Sequence, residues 1–306
     1  MRRNRLEWLG STNEEGAPMS FRTILAPMAY ERSAKIALEG AVILARMFNA
    51  HISAVHVRFD TTGIMPYVIG PTPAELLVQI SENAEKVAKE RALAVRAVFD
   101  AVVKSAGIKV VDHAARGATP SAAWRESLGS FDYRYGVEGR VHDLAVAPRP
   151  EANDLENRID VLEGLLFNSG RPVLMLPPVM PKAIGSTVAI AWNGGVEATR
   201  AVAAALPFLE QAKRVMVLTV DGEELDGPSA KDLVDSLAWH GISADTVQTR
   251  EEGLSDGKTI LKAAESLSAD LLVMGAYSHS RLRELILGGV TQDVVEAAVI
   301  PVLMTH

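Results

Sequence analysis

Short apolar runs recur along this chain, each closed by glycine, proline or a switch to polar residues, with longer stretches of helical periodicity between them. Runs of four to eight apolar residues bounded in this way read as buried strands, and apolar positions spread over several turns read as helices. The pattern predicts strands over Arg22–Pro27, Ile52–Val57, Lys109–Ala114, Asp143–Ala147 and Pro172–Leu176. Between them it predicts helices over Ala34–Phe48, Ala74–Ala106 (stopped by Gly107), Ser121–Leu128 and Arg158–Phe167. After Pro177, Pro178 and Pro181 the plan repeats more compactly. Strands are expected over Thr187–Trp192, Arg214–Val220, Ala244–Thr249, Leu271–Met274 and Pro301–Thr305. Helices are expected over Glu197–Gln211, Ser229–Trp239, Thr259–Leu267 and Val290–Val299.

The repeat is visible in spacing. Ile24 to Val57 matches Val188 to Val220, and RPVLML (Arg171–Leu176) falls at the same point as IPVLMT (Ile300–Thr305). Strands alternating with helices imply parallel sheets covered by helices on both faces, and internal duplication implies two units of that kind. The expected domains are 19–178 and 183–306, with residues 1–18 as an extended or disordered lead and the prolines as linker. The last strand of each half is nearly the same, Val173-Leu174-Met175 and Val302-Leu303-Met304. Such an apolar edge invites pairing, so the halves are expected to join edge to edge about a pseudo-two-fold axis.

The candidate chemistry lies in GAYSHSRLRELILGGVT, Gly275 to Thr291, between the fourth strand and the last helix of the second half. Glycine permits close approach of the backbone to a ligand, and a helix N-terminus offers unpaired N–H groups to an anion. With the internal repeat, this stretch resembles the universal stress protein family in its tandem form. The family's nucleotide-binding members carry Gly-x2-Gly-x9-Gly-(Ser/Thr) after strand four. Here Gly275, Ser278, Gly288 and Gly289 stand at those positions, followed by Val290 and Thr291. The spacing is kept; Ser278 replaces the second glycine and Gly289 the hydroxyl residue.

The resemblance implies two doubly wound α/β domains, each a five-stranded parallel sheet of order 3-2-1-4-5. Ligands of open parallel sheets bind outside the carboxyl ends of the strands where that order reverses, here between strands one and four. In the second half those strands end at Asn193 and Gly275. The implied ligand is an adenine nucleotide: ATP first, AMP or ADP as alternatives, with Mg accompanying ATP. Asn193 stands where the family has an Asp toward adenosine, and is also an Asn-Gly turn signal. Val220 matches a position whose backbone meets adenine. Ser278 either hydrogen-bonds a phosphate or marks a site that has lost its nucleotide. Gly288 and Gly289 allow phosphate close to the last helix. Thr291 supplies the missing hydroxyl or caps that helix. Arg281 and Arg283 are phosphate partners or solvated surface, and Tyr277 stacks on a ligand or covers the loop. Asp293 would repel phosphate and is expected to face away.

The first half lacks the motif. Its fourth strand runs into Ala147-Pro148-Arg149-Pro150 and its first ends at Met28-Ala29-Tyr30. It is expected to be structural or partner-facing.

Composition narrows the alternatives. A formal charge of -7 without a long basic patch argues against nucleic acid as partner. With no cysteine, thiol catalysis, disulfides and Cys-based zinc sites are excluded. No apolar run has membrane-span length, and no signal peptide is legible, so a cytoplasmic location is expected. Histidines such as His56, His113 and His142 show no metal-site spacing, and neither GxSxG nor the Walker pattern occurs. No general base or arginine finger is legible, so at most slow ATP hydrolysis is expected. The resulting expectation is a stress-response sensor that binds nucleotide in its second half and acts through unknown protein partners. It would be an intramolecular pseudo-dimer able to form a homodimer. The alternative is a nucleotide-free interaction module.

Overall fold

A computed structural model of the protein describes residues 20–58, 74–112, 120–151, 159–221, 227–277 and 289–306. The first half comprises β1 (Thr23–Pro27), α1 (Glu31–Phe48), β2 (His51–Arg58), α2 (Ala74–Ala106), β3 (Lys109–Val110), β4 (Ser121–Leu128), α3 (Phe131–Gly139), β5 (Leu144–Pro148), α4 (Ile159–Asn168) and β6 (Val173–Leu176). The second comprises β7 (Thr187–Ala191), α5 (Val196–Leu209), β8 (Arg214–Val220), α6 (Ala230–Ala238), β9 (Ala244–Thr249), α7 (Asp256–Ser266), β10 (Leu271–Gly275), α8 (Gly289–Ala297) and β11 (Val302–Thr305).

The two doubly wound units share one sheet, ordered β3-β4-β2-β1-β5-β6-β11-β10-β7-β8-β9. Counted within itself, the second half reads 3-2-1-4-5 and every pair in it is parallel. The halves meet where β6 and β11 run antiparallel, Leu174 opposite Leu303 with Met175–Val302 and Val173–Met304 on either side. This is the edge pairing the sequence suggests.

The first half departs from the expected five strands. Ser121–Leu128, expected as a helix, is instead β4 and pairs residue for residue with His51–Arg58. The segment read as a strand over Lys109–Ala114 keeps only Lys109 and Val110 at the outer edge, and His113 and Ala114 lie outside the described residues. Without β4, the long edge of β2 would leave backbone donors and acceptors unpaired, a cost that overrides the local helical preference. The helix comes later, as α3, in a sequence poor in helix formers. One glycine on each helix lets α3 touch α4: a Cβ on Gly164 of α4 would lie 2.1 Å from the Asp132 carbonyl oxygen, and one on Gly136 of α3 2.5 Å from that of Gly164.

A hydrophobic core lies on each face of the sheet, and both cores cross the junction. On one face Phe208 of α5 packs on Phe21 and Phe48 of the first half, with ring centroids 5.6 and 5.0 Å apart. The duplication also shows in a polar device. Asp143, just before β5, accepts hydrogen bonds from the backbone N–H groups of Arg22 and Thr23. Asp270, just before β10, accepts those of Gly185, Ser186 and Thr187. Each carboxylate pins the start of strand one in its own half.

Three histidines of the first half make the fold acid-sensitive. The Nδ1 atoms of His56 and His142 bond the carbonyls of Met28 and Glu138 at 2.6 and 2.8 Å, and His51 bonds Ser121 at 2.9 Å. Burial holds all three below their ordinary value, and His142 adds to the effect at His51. An unfolded chain therefore takes up protons at a pH where the native one does not, so this stability is complete above about 6.5 and is lost as pH falls through the lowered native values. We expect the urea midpoint to fall between pH 7 and pH 5. His56→Asn, which keeps an N–H for the Met28 carbonyl, should fall less; an equal fall would remove His56 as a cause.

Candidate functional site

In the second half the sheet order reverses between β7 and β10, and the chain leaves those strands toward opposite faces. A crevice therefore opens above their carboxyl ends, and its walls follow from local sequence.

Asn193 follows β7. Its Oδ1 accepts the Gly195 N–H at 3.0 Å, so the acceptor oxygen is used within its own turn. Gly194 takes φ +74° and lies against Gly227, which brings the chain following β8 down onto the β7–α5 turn. Trp192 fixes the same contact, its indole N–H donating to the Pro228 carbonyl at 2.8 Å.

Val220 ends β8. Trp192 N–H donates to the Leu218 carbonyl on the β7 side, whereas Asp221 N–H donates to the Thr249 carbonyl on the β9 side. Because a parallel ladder alternates sides along the strand, the N–H and C=O of Val220 face the β7 side. They lie past the last rung of the β7–β8 ladder, which ends at Ala191 and Leu218. One backbone donor and one acceptor thus point across the switch crevice.

Gly275 ends β10 and is required by packing. A Cβ there would sit 2.5 Å from the Ala198 nitrogen and 2.7 Å from the Glu197 carbonyl carbon. The first turn of α5 rests on this glycine, and Thr305 Oγ1 donates to the Glu197 carbonyl at 2.9 Å. Beyond it, Ala276 N–H donates to the Thr305 carbonyl and Tyr277 N–H to Thr291 Oγ1, at 2.8 and 3.2 Å. Thr291 is buried and ties the two ends of the loop together. Among the described residues, a Cβ at Gly289, the first residue of α8, would meet nothing within 4 Å. Asp293 turns away toward α7, where its carboxylate accepts the Ser255 hydroxyl at 2.5 Å. Ser278, Gly288, Arg281 and Arg283 lie outside the described residues.

The structure thus places Asn193, Val220, Gly275, Gly289 and Thr291 around the ends of β7, β8 and β10 and the start of α8. Adjoining Val220 is an open cavity of about 650 Å³, lined also by Asp221, Arg250, Glu251, Glu252, Asp256 and Thr259. Glu251 is paired with Lys262 at 2.8 Å. Four carboxylates against one arginine suit hydroxyl or amino donors of a ligand and repel phosphate. Sequence reading missed this wall; its only signal is the charged run Arg250-Glu251-Glu252-Gly253 directly after a strand. Among the described residues no cluster of side chains could hold a metal ion, and no helix is long and apolar enough to cross a membrane.

The corresponding point of the first half is built differently. Met28 is fully buried, its N–H donates to the Val55 carbonyl, and its own carbonyl is taken by His56. Arg91 lies over the ring of Tyr30 at 4.6 Å.

Residues 186–306 match the sequence profile of the universal stress protein family. The fold of nearly the whole chain is similar to that of a universal stress protein from Archaeoglobus fulgidus DSM 4304, at 18% identity over 92% of this chain and 97% of that one, with a TM-score of 0.57. It is also similar to a candidate universal stress protein from Pseudomonas aeruginosa UCBPP-PA14, at 15% identity over 93% of each chain, with a TM-score of 0.51. A universal stress protein solved in complex with cAMP matches 40% of this chain and 97% of its own, at 19% identity and a TM-score of 0.31. No curated protein sequence matches the chain.

Proposed function

We propose, from the premise that residues 186–306 form a universal stress protein domain, that this domain binds an adenine nucleotide at the β7/β10 switch. The observation that carries the reading is the pair of Val220 backbone groups, an N–H and a C=O facing the crevice past the last ladder rung. A purine edge offers the complementary acceptor and donor. The acidic cavity beside Val220 accommodates ribose hydroxyls, with Asp221 nearest in sequence.

Phosphates are directed away from those carboxylates, toward Ser278, Gly288 and Gly289, where the helix N-terminus favours negative charge. The Val220 backbone groups and the start of α8 at Gly289 support a nucleotide there. The acceptor oxygen of Asn193 serves Gly195 and is not offered to it; that side chain has its NH2 group to give. Gly275 and Thr291 act as framework for the loop. ATP is the first candidate, AMP or ADP the alternatives, and Mg would arrive with the triphosphate rather than on a protein cluster. The protein then acts as a nucleotide-dependent sensor or regulator through partners.

Calorimetric titration with ATP, with and without Mg, tests the reading. We expect one binding event per chain, and no heat at millimolar ligand would remove the proposal.

A second reading, a nucleotide-free interaction module, is favoured by the N–H groups of Ala276 and Tyr277, both spent on internal bonds. Stoichiometric nucleotide on the purified protein, detected by mass spectrometry, would eliminate it.

A further inference from the structure

Tyr277 carries two local costs at once. Its φ is +59°, in the left-handed region that bulky side chains avoid. Its phenol oxygen is buried with no hydrogen-bond partner among the described residues, an exception that calls for a cause. Burial and the nearby Glu163 of α4 both raise its ionisation above the ordinary tyrosine value. Such features persist only where surrounding structure over-determines them.

The ring that Tyr277 packs on most closely belongs to the other half. The ring of Tyr277 lies 4.7 Å from that of Phe167 at the end of α4, and His306 packs on Phe167 at 4.9 Å. His306 Nδ1 in turn approaches the Ala276 carbonyl at 3.2 Å. The contact is reciprocated. Leu271–Tyr277 and Leu144–Pro150 occupy equivalent places after the repeat, and Arg149 of the first half donates to the Glu296 carbonyl in the last turn of α8. In each half, the chain leaving strand four reaches over to the last turn of the other half's final helix. Only in the second half does that chain lead into the proposed phosphate loop.

We infer that Phe167 is a positioning residue for the nucleotide crevice of the opposite half: its ring holds Tyr277 in the left-handed conformation in which the Tyr277 N–H reaches Thr291 of α8. This gives the first half a task in nucleotide binding although its own crevice is built differently. The inference rests on the nucleotide reading above.

The test uses the full chain and ATP-Mg titration. Phe167→Ala should weaken binding by about two- to twelvefold, the range of one aromatic pair. Phe167→Tyr, which keeps the ring, should bind as the parent does. Tyr277→Gly added to Phe167→Ala should restore affinity, because glycine adopts positive φ without a ring to hold it. A purely structural role for Phe167 would not be rescued at position 277. Should Phe167→Ala fold poorly, Phe167→Leu keeps the bulk without the stacking geometry, and the same rescue is expected. If the parent binds ATP and neither Phe167→Ala nor Phe167→Leu changes affinity, the positioning role is overturned and the nucleotide site stands. Weakening without rescue also overturns it. If the parent does not bind ATP, both fall.

Discussion

Gly275→Ala lowers the stability of the ligand-free protein by roughly 2–3 kcal/mol, while Gly289→Ala changes it by less than about 0.5 kcal/mol. Both glycines belong to the same motif, yet their surroundings differ. The added methyl at 275 would press on backbone atoms of α5, 2.5 Å from the Ala198 nitrogen, where no flexible side chain can yield. Helix α5 must move from β10, which loosens the packing of Ala198 and Ala201 in the core. At 289 the same methyl meets no described atom within 4 Å. Urea unfolding of both variants in the absence of nucleotide measures the contrast. Equal stabilities would show that α5 does not rest on Gly275. Titration then separates the roles: Gly289→Ala should weaken ATP binding with the fold intact, since its methyl occupies the space assigned to phosphate.

That contrast also marks what the sequence could convey. Gly275 and Gly289 are equally visible as motif positions, but only the structure reveals that one is pressed by a helix and the other meets no described neighbour. The strand-and-helix alternation, the repeat and the β6–β11 pairing were legible because buried parallel strands carry continuous apolar runs such as Leu271–Met274 and Val302–Met304. Ser121–Leu128 was not, because an edge-side strand with a mixed burial pattern has no clean period, and its alanines favour a helix locally. Its conformation is dictated by the partner strand His51–Arg58, distant in sequence. Asn193 illustrates the same limit at the site. The residue type allows both a turn and a ligand contact, and the direction of one oxygen toward Gly195 distinguishes them. The acidic wall from Asp221 to Thr259 was hidden because its members come from just past the end of β8, the β9–α7 turn and α7, which only the sheet order brings together.

The junction between the halves should be the most sensitive place in the molecule. Leu303→Asp is expected to cost more than about 4 kcal/mol, a large part of the 5–15 kcal/mol that holds a typical domain together. Leu303 is fully buried opposite Leu174, on the antiparallel pair that joins the halves. Aspartate would lose the buried leucine methyls and place a carboxylate among Leu174, Leu176 and Val273 without a donor. The damage is not confined to one half, because the core on that face continues from Phe21 and Phe48 into Phe208. Calorimetry of the parent should therefore give one cooperative transition, and the variant should lose that transition as a whole. Leu303→Met, which conserves volume, should cost less than about 1.5 kcal/mol. Two separate transitions in the parent, or a variant in which only the second half melts early, would mean that the halves are stable units that merely touch. A single shared transition is also what the Phe167 inference requires, since a ring in one half can set a backbone angle in the other only if the interface between them is as rigid as the sheet it continues.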